Sequence, residues 1–142
     1  MRARLIAAPL VLLALAACER PTPGVTMASG TTSVHTEAAV FCHEGQSAAA
    51  QDCAEDLDAL GVVRVRPGQP LSIDVPGEVA DHGWVVVDPD TKQRSDVQDE
   101  THLSLTFDFA RRPVINLEVH ALDEVSDSAT VTGVWRFQLV QK

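Results

Sequence analysis

Tyrosine is absent from this 142-residue chain, asparagine occurs once, and aromatic residues make up only 4% of it. No apolar run approaches the roughly 18 residues that a membrane-spanning helix needs. Gly-x-Ser-x-Gly, His-Glu-x-x-His, the phosphate-binding Gly-rich loop and Cys-x-x-Cys are all missing, so none of the common local signatures of hydrolase, metalloprotease, nucleotide or dithiol chemistry is present. Methionine is scarce as well. Beyond the apolar start the chain holds only Met27, which excludes a blue-copper site with its late axial Met. Positive charge is the last shortage: eleven Lys and Arg stand against twenty Asp and Glu, for a net charge of −9. Such a surface repels phosphate backbones and anionic headgroups, so nucleic acid is excluded as a partner. These absences point to a protein that is not an enzyme and carries no cofactor.

The start of the chain is informative. Met1-Arg2-Ala3-Arg4 is basic, Leu5 to Ala14 is an apolar run broken by Pro9, and Leu15-Ala16-Ala17-Cys18 follows. Basic start, short apolar core and small residues before a cysteine resemble the signal and lipobox of bacterial lipoproteins. The expectation is a signal peptide over 1–17 and a diacylglyceryl group on the sulfur of Cys18. A lipid-anchored linker then covers 18–24, and one domain covers 25–142. Loss of Arg2 and Arg4 with the signal takes the net charge from −9 to −11. The partner implied is a membrane, reached through lipid on Cys18, with the domain on the extracytoplasmic face. Two or more acyl chains make such an anchor stable.

Cys42 and Cys53 remain. An even pair in an exported chain reads first as a disulfide. A metal site of Cys42, His43 and Cys53 is disfavoured, because neighbours in extended chain point opposite ways. From Ser47 the character changes: Ala48-Ala49-Ala50, then Cys53, Leu57 and Leu60, fall at helical spacing. Ser47 could cap the start and Gly61 the end, giving one short helix, the only one expected.

Everything else reads as strand. Val25–Ala28 and Thr32–Thr36 flank Ser29-Gly30 as a hairpin. Val63 and Val65 alternate with arginines, and Leu71, Ile73 and Val75 alternate with polar residues across a Pro67-Gly68 turn; with the strand that opens at Trp84 they read as parts of one sheet. Trp84-Val85-Val86-Val87 is apolar on both faces, predicting a covered strand with Trp84 as a core anchor whose indole N–H finds a carbonyl. Asp88–Glu100 is a polar loop whose spacing does not fit a calcium site. Then come three one-sided strands: Leu103, Leu105, Phe107, Phe109; Ile115, Leu117, Val119, Ala121; and Val131, Trp135, Phe137, Leu139. The natural closure is a mainly β, antiparallel, two-sheet Ig-like sandwich.

The last three strands are expected to form a meander. Matching their inward faces pairs Phe109 with Ile115 and Phe107 with Leu117 around an Arg111-Arg112-Pro113 loop. That register sets His102 diagonal to His120, about 7 Å apart. Solvated histidines are favoured there over a metal pair.

The order of features resembles a family of actinobacterial cell-envelope lipoproteins of unknown function. The residues carrying the likeness are the lipobox, the Cys42…Cys53 pair, Val65-Arg66-Pro67-Gly68-Gln69-Pro70-Leu71, Val75-Pro76-Gly77-Glu78-Val79-Ala80-Asp81, Gly83-Trp84-Val85-Val86-Val87 and Val134-Trp135-Arg136-Phe137-Gln138-Leu139. The chain departs from the family pattern in lacking tyrosine, in its Ala-rich stretch between the cysteines and in a short Asp88–Arg94 hairpin. The resemblance implies an envelope lipoprotein and supplies no catalytic or ligand residues. Two functions are therefore expected in competition. One is a non-catalytic interaction or structural module that contacts an envelope protein or wall component. The other is a small-ligand or metal-handling lipoprotein using surface His and carboxylates.

Overall fold

The longest element is the last strand, and both sides of it are used. A computed structural model describes residues 20–142; Cys18 and the expected signal lie outside the described residues. Strand β11 (Val131–Gln141) pairs along one edge with β10 (Val114–Leu122), from Val131 opposite Leu122 to Val140 opposite Val114. Its other edge is shared. Gly133 and Val134 pair with β3 (Val40–Phe41), and Phe137 to Gln141 pair in parallel with β5 (Gly61–Val65). With β4 (Ala54–Glu55), β7 (Trp84–Asp88) and β8 (Gln93–Arg94) this makes a seven-stranded sheet. The second sheet has four strands in the order β2-β1-β6-β9: Thr32–Thr36, Val25–Ser29, Pro70–Asp74 and His102–Thr106.

The two sheets form the expected sandwich. Alternation on each strand puts one side chain in two between them. Val25, Met27, Leu71 and Ile73 come from the four-stranded sheet, and Val63, Trp84, Ile115, Leu117, Trp135, Phe137 and Leu139 from the other. Trp84 is fully buried and its indole N–H donates to Glu100 O at 2.8 Å, as its place in an apolar strand predicts. Trp135 is equally buried and donates to Pro23 O at 2.9 Å, which ties the entering chain to the core. The β1–β2 hairpin forms as expected, with Ser29 opposite Thr32 and Gly30 at φ +58°, the sign a type II′ turn needs at its first central residue.

Three expectations are corrected. The helix between the cysteines is a single 3-10 turn, Ala48–Ala50, with Ser47 Oγ accepting from Ala49 N as the cap. It does not run to Gly61, and Leu57 and Leu60 are more than half exposed. With no buried face to pack, a run of three alanines cannot hold a longer helix. Nor is it the sole helix: Gly77–Ala80 forms α1 and buries Val79 and Ala80.

The second correction concerns β5 and β6, which lie in different sheets despite the intact Pro67-Gly68 turn (Gln69 N to Arg66 O, 3.0 Å; Gly68 φ +79°). A turn with positive φ only at its second central residue is type II, which splays flanking strands instead of pairing them.

The third is the meander. Only β10 and β11 pair as its successive strands; β9 pairs with β6, Leu105 opposite Leu71, and β10's second partner is β7. Leu117 therefore lies opposite Phe137, not Phe107, which follows the end of β9 and packs on the core. His102 sits against Asp74 and His120 against Glu118, on separate sheets.

Candidate functional site

At the end of the sandwich where the N-terminal segment enters, three loops and Arg20 surround a cavity of about 680 Å³. The first wall is the loop closed by the Cys42–Cys53 disulfide, whose Cα atoms lie 4.4 Å apart. This loop orders itself. His43 N donates to Gln46 Oε1 at 2.8 Å, Gln46 N to His43 O at 2.9 Å, and Ser47 N to Asp52 Oδ1 at 2.8 Å. The cysteines are spent on each other, so neither offers a thiolate to a metal or a substrate.

The second wall is α1 and the residues after it. Pro76 fixes the chain as it enters the turn, and Gly83, at φ +91°, lets it leave sharply into β7. The His82 imidazole donates from Nδ1 to Glu78 O at 3.0 Å, which holds the ring beside the turn. The third wall is the β10–β11 connection. It is pinned by Leu122 N to Gly83 O at 2.9 Å and by the reciprocal pair Asp123 N to Thr130 O and Thr130 N to Asp123 Oδ1.

The lining is mixed. Phe41, Val79, Leu122 and Val131 supply apolar surface, while Glu44, Glu78, Asp123, His43, His82 and Arg20 supply polar groups. His43 packs against Phe41, ring centroids 4.9 Å apart and nearly perpendicular, and its buried Nε2 has no hydrogen-bond partner. The volume falls within the usual range for small-molecule sites. Among the described residues no group of three or more His, Cys, Asp and Glu is placed to hold a metal ion.

The marked electrostatic perturbation lies elsewhere. Asp88, nearly buried at the end of β7, accepts from Arg112 Nη2 and Nη1 and from the backbone N–H groups of Asp90 and Thr91. The Arg112 hydrogen bonds hold its carboxyl below the ordinary carboxylate range against the opposing effect of burial, and Asp88 in turn raises Arg112. The pair joins β7 to the β9–β10 connection and has a structural task. A second cavity, of about 580 Å³, lies at the opposite end among Pro67, Gly68, Phe107, Phe109 and Gln141.

Of the residues singled out from sequence, Cys42 and Cys53 are bonded as expected, and Cys18 lies outside the described residues. The five histidines do not converge. His35 bonds Thr26, His102 and His120 each meet one carboxylate, and only His43 and His82 share the cavity. The cavity itself was not legible in the sequence. It is assembled from three loops distant in the chain, and its only local hint was the Pro76-Gly77 start of α1. No curated protein and no solved structure matches the chain. A family model described as "Protein of unknown function (DUF2771)" matches residues 18–139, and the chain belongs to that family.

Proposed function

We propose that the protein is a lipid-anchored, extracytoplasmic and non-catalytic module of the cell envelope. The observation that carries this reading is the combination of a lipobox ending at Cys18 with a disulfide-bonded sandwich behind it. Disulfides persist in oxidising compartments, which fits a domain exported past the membrane. Further support comes from the placement of the perturbed titratable pair, Asp88 and Arg112, which is used to hold the fold and does not line the large cavity. Anchoring is tested on protein extracted from membranes. The intact mass should correspond to loss of residues 1–17 plus acyl chains, and Cys18→Ala should leave the membrane fraction. A Cys18→Ala protein that stays membrane-bound would refute it.

A second reading, binding of a small ligand, is favoured by the 680 Å³ cavity with its apolar wall and polar rim. Among the described residues, the arrangement of the histidines and carboxylates lends no support to the metal-handling form of that reading.

A further inference from the structure

The fold begins almost as soon as the lipobox ends. Thr22 Oγ1 donates to Glu37 at 3.0 Å, Pro23 is buried with its carbonyl bonded to Trp135, and a Cβ on Gly24 would come within 2.2 Å of the His35 ring. The chain is thus fastened from residue 22 onward. Four residue steps separate Cys18 from Thr22, a reach of at most about 14 Å. An anchor on Cys18 would therefore hold one particular end of the sandwich. That end is the one with the large cavity, because Arg20, two residues past Cys18, lines it.

The strand registers separate the two ends cleanly. Val25 opposite Thr36, Thr26 opposite Asp74 and Gly133 opposite Phe41 mark the entry end. Gly68, Pro113 and Lys142, whose N–H donates to Val65 O, mark the other. Between them runs β11, eleven residues long, or roughly 35 Å. A tether of about 14 Å cannot turn a body of that height end over end.

Resting on the anchoring at Cys18, we propose that the cavity end of the sandwich lies against the bilayer and that the cavity opens onto lipid headgroups. The lining selects among lipids. Glu44, Glu78 and Asp123 outnumber Arg20, so the occupant is the head of a zwitterionic or uncharged lipid, and an anionic head is repelled. Phe41, Val79, Leu122 and Val131 offer an apolar wall to the part of the lipid next to its head.

The test uses the full lipidated protein in vesicles of brominated phosphatidylcholine, with tryptophan as the depth reporter. The native Trp84 and Trp135 are fully buried and give the baseline. Ala49→Trp, on the exposed cavity loop, should be strongly quenched by the lipid; Ala48→Trp provides an independent reporter on the same loop. Lys142→Trp, at the far end, should be no more quenched than the baseline. Replacing half of the lipid by phosphatidylglycerol brominated to the same extent, so that the quencher density is unchanged, should weaken quenching at residue 49. Equal quenching at both ends, or stronger quenching at residue 142, would overturn the orientation. Undiminished quenching at residue 49 in anionic vesicles would overturn the headgroup preference. Failure of the protein to float with the vesicles at all is a separate outcome, and it would refute the anchoring and the proposal together.

Discussion

Asp88 shows how one carboxylate can carry a pH dependence for the whole fold. Its oxygens accept from the Arg112 guanidinium and from two backbone N–H groups, so the charged form is favoured in the folded state. The folded pKa therefore lies below the unfolded value. A depressed pKa contributes stability that is fully present above the unfolded carboxylate range, and that contribution is lost as pH falls through the folded value. Arg112→Met removes the main cause of the shift and leaves a nearly buried charge with only its backbone donors. The variant should have a lower urea midpoint at pH 7. The difference in midpoint between pH 7 and pH 3 should also shrink, because less of its stability depends on ionised Asp88. Urea titrations of both proteins at the two pH values check this, and an unchanged difference would show that Asp88 is not a dominant acid-sensitive group.

Among the elements, the loop between the cysteines depends most on a single bond. Its 3-10 turn has no buried residue, and Leu57 and Leu60 just beyond it are exposed, so little packing holds the segment. The disulfide spans a sequence separation of 11. Restricting a loop of that size in the unfolded chain is worth on the order of 2–3 kcal/mol. A Cys42→Ser/Cys53→Ser double variant should lose about that much stability to urea, while far-ultraviolet circular dichroism stays that of a sheet protein. Hydrogen exchange should speed up within 43–53 and stay slow in β10 and β11. The same elements show what a sequence can convey. Alternation identified the inward side of nearly every strand: Leu103, Leu105 and Phe107 pack on the core, and Ile115, Leu117 and Val119 are buried. It could not identify the partner. Matching inward faces is satisfied by two neighbours in one sheet, yet facing strands of opposite sheets also point their side chains at one core. That ambiguity misplaced β9 beside β10. Likewise Pro67-Gly68 announced a turn, and only its type decides whether the flanking strands pair or part.

On the scale of the whole molecule, charge is the least balanced quantity. The full chain carries −9, while among the described residues the Arg–carboxylate contacts are confined to Arg94 with Asp127 and Arg112 with Asp88 and Asp90. Excess like charge on a compact body repels itself, and surface ion pairs contribute little to offset it. These two effects respond oppositely to salt, since screening weakens repulsion and attraction alike. The acidic excess is spread over exposed positions such as Glu44, Asp52, Glu55, Asp56 and Asp58, and Asp96, Asp99 and Glu100. The attractive contacts are few, and the strongest of them is largely shielded from solvent at Asp88. Repulsion should therefore dominate the salt response. Raising sodium chloride from about 0.01 M to 0.15 M shortens the Debye length from roughly 30 to 8 Å, and the thermal midpoint should rise. Calorimetry at constant pH tests the sign. A fall would mean that the Arg94 and Arg112 contacts outweigh the net charge, and Arg94→Ala should then remove part of that fall, whereas under dominant repulsion it leaves the rise in place.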